Sequence, residues 1–440
     1  MRKNIQPIIN NALCTACGGC SGICPVGAIS MVSNTAGYIV PNIDYGKCTY
    51  CAKCYHICPS VSSNTPQMDC VDPFHGKFLE GYVGYATDKN IRQEAQSGGI
   101  VTALLCYLLK TEAIDGAIVN HFNPKTKRPR ASYVESTEGI QAGSGSYYAQ
   151  SSVVAESLKH QDKRTAAVVL GCQGECINLI KQRYPQMVLP EYLIGLICAG
   201  QYSGNYIDKI IQETKCKKDD VIGFRFRDKK AGGWPGDIKI ATKNKEYRLN
   251  KVVRHTLKPV YEANRCLLCF DQMNIFADLV AGDPWGITNK MDKAGNTVII
   301  ARTEKGKKLI ENAFRDGIIY IEKLPVSSIV KGQTVDSRLK TQFFTACSIA
   351  KEKGYMLPFE MDYFKDIPYT KGNKQKYKSI KSRLEFSRSI YLEKDEKKYK
   401  KLICKARVRV KVERKLRQVI KLPKRICRYA LRKIAIGNNR

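Results

Sequence analysis

The sequence has no run of 18 uncharged apolar residues; the longest, IVTALLCYLL at 100–109, has ten. A membrane-spanning helix needs about 20, so this stretch reads as a buried helix, and only surface attachment is left open. A basic-then-apolar leader is also missing: MRKNIQPIINNALC runs straight into a cysteine motif. Disulfide-dense folds are usually short secreted domains, so the nineteen cysteines of this 440-residue chain are expected to stay reduced in the cytoplasm. Acidic residues are few, 40 against 73 Lys and Arg, which leaves a formal charge of +33. Tryptophan occurs twice, beside 24 tyrosines. Five histidines offer little acid–base chemistry: His56 is expected to cover or tune a metal group, His121 and His255 are minor site candidates, and His75 and His160 read as structural. Lys251, Arg254 and His255 form a basic patch that reads as a solvated strand end or a contact for an anion.

What is present divides into four textures. Residues 1–66 are rich in cysteine and turns. Residues 67–95 read as a connector entering a helix near Asp88. Residues 96–330 have the composition of an α/β domain, and residues 331–440 become polar and then strongly basic. Strands are predicted at 116–122, 166–171, 193–198, 220–228, 237–242 and 296–302, and helices at 98–111, 147–161, 203–214 and 304–315. The alternation favours a mixed sheet covered by helices. The fold class is therefore α+β: a small cysteine-rich module, a larger mixed-sheet α/β domain and a basic, largely helical tail.

The first 60 residues carry the sharpest signal. Cys14, Cys17, Cys20 and Cys24 precede Pro25, and Cys48, Cys51, Cys54 and Cys58 repeat the same spacing before Pro59. Zinc sites favour separated pairs. Two runs with spacings of two, two and three suit a pair of [4Fe–4S] clusters, in which the fourth cysteine of each run binds the other cluster. One cluster is thus expected on Cys14, Cys17, Cys20 and Cys58, and the other on Cys48, Cys51, Cys54 and Cys24. YIVPNID (38–44) should pair with a strand near residues 28–32. This module is similar to two-cluster bacterial ferredoxins.

Further cysteines follow in the large domain. Cys266 and Cys269 form a lone Cys-x2-Cys, Cys172 and Cys176 follow one predicted strand, and Cys198 ends another. Ligands gather at strand ends in α/β sheets, so a third cluster there is reasonable. Gln96-Ser97-Gly98-Gly99 opens the apolar helix, and free amides at a helix start can hold phosphate. GSGS at 143–146 is a weaker candidate of the same kind.

Taken together, SGGIVTALL (97–105), the strand and Gly-Cys-Gln of 166–173, LICAG (196–200) and NRCLLCFDQMNIFADLVAGDPWG (264–286) resemble the coenzyme-F-type deazaflavin hydrogenase/dehydrogenase beta-subunit family. That family also includes flavin-dependent chlorophyll-pathway reductases. The resemblance implies FAD beside a [4Fe–4S] cluster. It implies that Ser97, Gly98, Gly99 and Thr102 hold the FAD phosphates and that Asp283, Trp285 and Gly286 line the same site. It also implies Cys198, Cys266 and Cys269 as cluster ligands, with Cys172 or Cys176 as the fourth; Cys172 keeps the family's Gln neighbour. The family usually has Cys-His-Gly where this chain has Cys198-Ala199-Gly200, so an imidazole is absent.

The function expected is an iron–sulfur flavoprotein oxidoreductase. Its electrons would pass between a ferredoxin-like partner, the clusters, FAD and an unidentified small-molecule substrate. The alternative is a non-catalytic electron-transfer subunit of a larger redox complex. Residues 371–440 hold 26 Lys or Arg against 5 Asp or Glu. This tail could meet the inner face of a membrane or an acidic partner; nucleic acid is the weakest choice, since no nucleic-acid-binding motif accompanies it.

Overall fold

Burial alternates along the strands, and the alternation assigns each residue to one of two sheet faces. The computed structural model describes residues 3–64, 72–287, 292–368, 373–408, 410 and 412. In the cysteine-rich module, β1 (Ile29–Ser33) and β2 (Ile39–Ile43) form the expected antiparallel hairpin, with Ile29 opposite Ile43. The other strands are β3 (Glu80–Ala86), β4 (Gly116–Asn123), β5 (Arg128–Val134), β6 (Thr165–Val169), β7 (Tyr192–Leu196), β8 (Val221–Asp228), β9 (Asp237–Thr242), β10 (Glu246–Leu249), β11 (Leu279–Gly282), β12 (Thr297–Ala301) and β13 (Ile319–Lys323).

Eight of them form one sheet in the order β13-β3-β12-β11-β7-β6-β4-β5. Its centre, β11, β7, β6 and β4, is parallel, and every outer pairing is antiparallel. Ala117, Val119, Ala166, Leu279, Ile299 and Ala301 pack on one face, with the helices Ile100–Lys110 and Glu304–Arg315. Ile118, Ala167, Val169, Val280, Val298 and Ile300 pack on the other, with the cysteine-rich module. The second helix starts where Thr303 Oγ1 accepts a hydrogen bond from the Gly306 amide at 3.1 Å, a normal N-cap. Strands β8, β9 and β10 make a separate antiparallel sheet. Together with Tyr202, Tyr206 and the helix Lys251–Tyr261 they bury Tyr38 and Val40 of the module.

Several elements differ from expectation. The stretch read as a connector contains β3, which lies between β13 and β12 inside the sheet. Its sequence, EGYVGYA, uses two glycines where β-branched residues were sought; at Gly84 a Cβ would fall 1.9 Å from the Tyr320 carbonyl of β13. Residues 147–152 are not helical, and only Val153–Ser157 of the helix expected there is helical. The Gly-Cys-Gln segment opens a 13-residue helix, Gly171–Arg183.

Residues beyond 330 continue the core. Val335, Leu339, Phe343, Phe344, Phe359 and Phe364 are all buried. Phe364 stacks on Phe74 at 5.6 Å and meets Phe270 and Phe343 at 5.4 and 5.2 Å. The 19-residue helix Lys374–Leu392 buries Ile380, Leu384, Ile390 and Tyr391. Residues 396–408 are helical. Most of the basic segment 407–436, to which a membrane or acidic-partner role was assigned, lies outside the described residues. Among the described residues no helix is long and apolar enough to cross a membrane.

Phe364→Ala should lower unfolding stability by about 3–5 kcal/mol, the range for emptying a buried aromatic site. Denaturant titration would check this. Ending the chain at residue 330 should yield insoluble protein, because Phe74 and Phe270 lose their aromatic cover; recovery in the soluble fraction is the measurement.

Candidate functional site

The parallel strands deliver their carboxyl ends to one edge, and a cavity of about 420 Å³ opens there. That size suits a bound organic molecule. Its lining comes from residues after β6 (Leu170, Gln173), after β7 (Ile197–Gln201) and after β11 (Asp283, Trp285). Opposite lies the start of the helix Ile100–Lys110. Gly99 adopts φ +86, a left-handed conformation that glycine holds without strain, and no side chain caps the helix. The first amides of this helix, on Ile100, Val101 and Thr102, therefore belong to residues of the cavity wall. The 143–146 loop lines the same cavity, and Thr102 Oγ1 lies 3.2 Å from Ser144 Oγ.

Ser97, Gly99, Thr102, Asp283 and Trp285 thus meet in one place. Gly98 and Gly286 are not in the lining. The Gly98 amide donates to Thr297 Oγ1 at 2.9 Å, and a Cβ there would fall 2.7 Å from the Gly84 carbonyl, so Gly98 serves close packing. Asp283 is already committed: its carboxylate accepts from Arg227 Nη1 and Nη2 at 2.5 and 2.9 Å and from Trp234 Nε1 at 3.0 Å.

The remaining charge in the cavity is positive. Arg254, His255 and Lys258 line it from the helix Lys251–Tyr261. The sequence pointed to Arg254 and His255 as part of a basic patch and missed Lys258, which lies one helical turn further on. Arg254 is 3% exposed, and its Nε has no hydrogen-bond partner. Lys258 Nζ lies 4.8 Å from the Tyr148 ring and 5.5 Å from the Tyr202 ring. Burial, followed by the Arg254 cation, lowers Lys258 to about 8. Burial, then Arg254 and Lys258, lowers His255 to about 4, so its ring is neutral near pH 7. This cluster fits an anionic group.

The thiols fall into three sets. Cys20 has Cys17, Cys14 and Cys58 as electrostatic neighbours, followed by Cys54 of the second set; Cys54 has Cys51, Cys48 and Cys24; Cys172 has Cys269, Cys17, Cys266 and Cys198. Burial raises the Cys14 thiol to about 12 and holds Cys172 well above its ordinary value. Thiols this crowded and dry ionise together only beside a compensating cation, which is the demand an iron–sulfur core meets. Amides point at the sulfurs: Ala16 to Cys14 at 3.3 Å, Ala28 to Cys24 at 3.2 Å and Gln201 to Cys266 at 3.3 Å. Among the described residues no three His, Cys, Asp or Glu side chains converge on a single metal ion; a cube of four irons holds its thiolates on separate metal atoms.

Cys176 takes a different direction from Cys172. Its thiol is hydrogen-bonded to Cys17, and it shares a small cavity with Cys14, Cys17, Cys20 and Cys58. The helix Gly171–Arg183, missed in the sequence, explains the split: four residues separate the two thiols by about one turn along one face. Between them Glu175 is raised to about 8 by burial, against the opposing pull of Arg265. His121 Nε2 donates to the Gly139 carbonyl at 2.9 Å and lies outside the cavity lining.

Comparison with known proteins shows the family. Residues 162–326 match the family model for the C terminus of the beta subunit of coenzyme F420 hydrogenase/dehydrogenase, and residues 81–159 match the corresponding amino-terminal model. Residues 13–61 match a 4Fe-4S dicluster domain. The chain belongs to the coenzyme F420 hydrogenase/dehydrogenase beta-subunit family, an oxidoreductase family, and carries an amino-terminal 4Fe-4S dicluster domain. It is 27% identical over 351 residues to a subunit of the F(420)H(2) dehydrogenase of Methanosarcina mazei, covering 77% of this chain and 93% of that protein. It is 25% identical over 291 residues to the beta subunit of the coenzyme F420 hydrogenase of Methanosarcina barkeri, covering 61% and 94%. A chain in the F420-reducing [NiFe] hydrogenase complex from Methanosarcina barkeri shares the fold, with a TM-score of 0.50 at 21% identity over 66% of this chain and 99% of that one.

The cationic cavity makes a prediction about pH. An anion placed there offsets Arg254 and draws protons onto Lys258, near 8 in the empty cavity, and His255, near 4, so binding should strengthen as pH falls from about 8 toward about 5.5. Calorimetry with inorganic sulfate, which does not titrate in this range, in buffers of differing ionisation enthalpy should show that proton uptake; Lys258→Gln should reduce it near pH 8, and His255→Asn should remove the share that appears toward about pH 5.5.

Proposed function

We propose that the chain is an iron–sulfur electron-transfer subunit of a larger redox assembly, with FAD in the cationic cavity and a third [4Fe–4S] cluster on Cys172, Cys198, Cys266 and Cys269. One observation carries the reading. Cys172 has both Cys17 of the dicluster domain and Cys198, Cys266 and Cys269 among its electrostatic neighbours, and Cys198 itself lines the cavity. Thiol sites therefore run without a break from the module to the cavity. When bound, clusters supply one-electron transfer and a flavin joins it to two-electron chemistry.

The chain's own residues have definable tasks in this reading. Amides at the start of the helix Ile100–Lys110, with Ser97, Thr102 and Ser144, would hold the phosphates. Arg227 fixes Asp283 beside Trp285, whose ring packs on Trp234 with centroids 4.4 Å apart. Arg254 and Lys258 would offset the charge of an anionic group. The two similar proteins named above, from the F(420)H(2) dehydrogenase and the coenzyme F420 hydrogenase, are each one subunit of their enzyme, which supports a partnered role.

A second reading, an oxidoreductase with its own organic substrate, rests on the cavity alone. The Arg254 and Lys258 cations in its wall suit an anionic small molecule, with a deazaflavin coenzyme as one instance. Ala199 lines the cavity where the family usually has His, so a proton would have to come from elsewhere.

Anaerobic purification followed by iron and flavin analysis tests the cofactor set. About twelve irons and about one FAD per chain are expected, counting about four irons per cluster; about eight irons without flavin would remove the proposal's centre. Cys172→Ser should lower iron by about four, whereas Cys176→Ser should leave the iron content unchanged. Electron paramagnetic resonance of the reduced variants would show which cluster is lost.

A further inference from the structure

Of the eight cysteines of the dicluster domain one is exposed, and among the described residues three cations beside it have no carboxylate partner. Of the eight cysteines in the two runs, Cys17, Cys20 and Cys54 are buried, Cys14, Cys24, Cys48 and Cys58 are half-buried, and Cys51 is exposed. The Cys14, Cys17, Cys20 and Cys58 set faces inward to Cys176. The set containing Cys51 therefore forms the outer end of the thiol series.

Three cations surround that end. Lys3 pairs by backbone with Cys51, and its Nζ lies 5.2 Å from the Tyr55 ring. Lys53 Nζ lies 5.6 Å from the Tyr184 ring. Arg183, at the close of the helix Gly171–Arg183, acts with Cys51 and Cys54 on Tyr184, and with Lys3 on His56. Among the described residues, none of these three has a carboxylate within salt-bridge distance. The nearby Lys47 does: it pairs with Asp44 at 3.7 Å, so that part of the rim is neutral.

We infer that this face, Cys51 ringed by Lys3, Lys53 and Arg183, is the docking surface for a small acidic iron–sulfur electron carrier. The inference rests on the proposed electron-transfer role. Electron transfer weakens steeply with distance, so a carrier must dock where least protein covers the metal site. Cations not neutralised by a carboxylate among the described residues attract an acidic carrier and raise its association rate. The mixture of charge and tyrosine suits a brief redox encounter; a permanent interface between protomers is more apolar. A second copy of this chain, itself at +33, is repelled. In each encounter one electron leaves the reduced cluster of the carrier and enters the dicluster domain, or the reverse, with no proton required.

The test is anaerobic stopped-flow reduction of the full chain by reduced plant-type [2Fe–2S] ferredoxin, an acidic carrier, followed by cluster absorbance. In a variant with Lys3→Gln, Lys53→Gln and Arg183→Gln, the second-order rate constant should fall at least about ten-fold at low salt, and its salt dependence should flatten. Iron content and the extent of reduction by dithionite should stay at wild-type values. A control with Lys217→Gln, Lys243→Gln and Lys308→Gln loses the same charge elsewhere and should keep the wild-type rate. Equal losses in both variants, or no loss in the first, would overturn the assigned face. A dimer in sedimentation that the first variant abolishes would assign the face to a second copy and overturn the proposal. Reduction of the wild type by dithionite but not by ferredoxin would overturn the external-carrier role itself.

Discussion

Arg265 brings a permanent charge to a position only 3% exposed. Burying an unpaired cation costs several kcal/mol, so the surroundings must supply acceptors. They come from both sides of a junction: Nε donates to Ser60 Oγ at 3.0 Å, Nη2 to the Pro59 carbonyl at 3.3 Å and Nη1 to the Leu268 carbonyl at 3.0 Å. Ser60 Oγ in turn donates to the Leu13 carbonyl at 2.7 Å. One side chain thereby locks the end of the second cysteine run, the start of the first, and the Cys266–Cys269 loop into a single arrangement. The neighbour relation between Cys17 and Cys172 depends on that lock. Lysine could reproduce the charge but not three donations from one planar fork.

The cavity shows a different balance. Arg227 and Asp283 satisfy each other and leave no net charge, whereas Arg254 and Lys258 remain uncompensated. Lys229 is also buried, yet it donates to the carbonyls of Arg92, Ser97 and Ala294 at 2.5–2.6 Å and so fixes the loop before the helix Ile100–Lys110. The buried cations thus have distinct tasks: Arg227 orients an acid, Lys229 shapes a loop, and Arg254 with Lys258 awaits an anion. Only the last is open to a ligand.

Much of this was legible in the sequence where the local signal is strong. The two cysteine runs, the β1–β2 hairpin and most central strands follow from spacing and β-branched runs. The Ser-Gly-Gly segment was read as a phosphate cradle as a whole, but the structure divides it: Gly99 faces the cavity and Gly98 packs against β3. Strand β3 was hidden because its glycines are chosen for contact with neighbouring backbone, not for strand propensity. The aromatic core at 343–364 was hidden because it lies in a polar stretch, where Phe343, Phe344, Phe359 and Phe364 are spaced without a clear period. Cys172 and Cys176 could not be told apart until the helix that carries them was seen, since a one-turn offset separates their destinations.

The helix Lys374–Leu392 also bears on how the protein is made. Asn34 Nδ2 donates to the Tyr391 carbonyl at 2.9 Å, Ser387 Oγ bonds Asn264, and Arg388 bonds the Asn11 carbonyl, so this late segment closes over the first cysteine run. On a ribosome adding about 5–20 residues per second, the module emerges roughly 20–70 s before that helix does. During this interval its loops lack their final cover, and iron and sulfide can be delivered to them from outside. Once the helix docks, the same loops are enclosed. The order of synthesis thus sets a loading window for the Cys14, Cys17, Cys20 and Cys58 set that narrows when this helix docks, while the set containing the exposed Cys51 stays reachable from solvent.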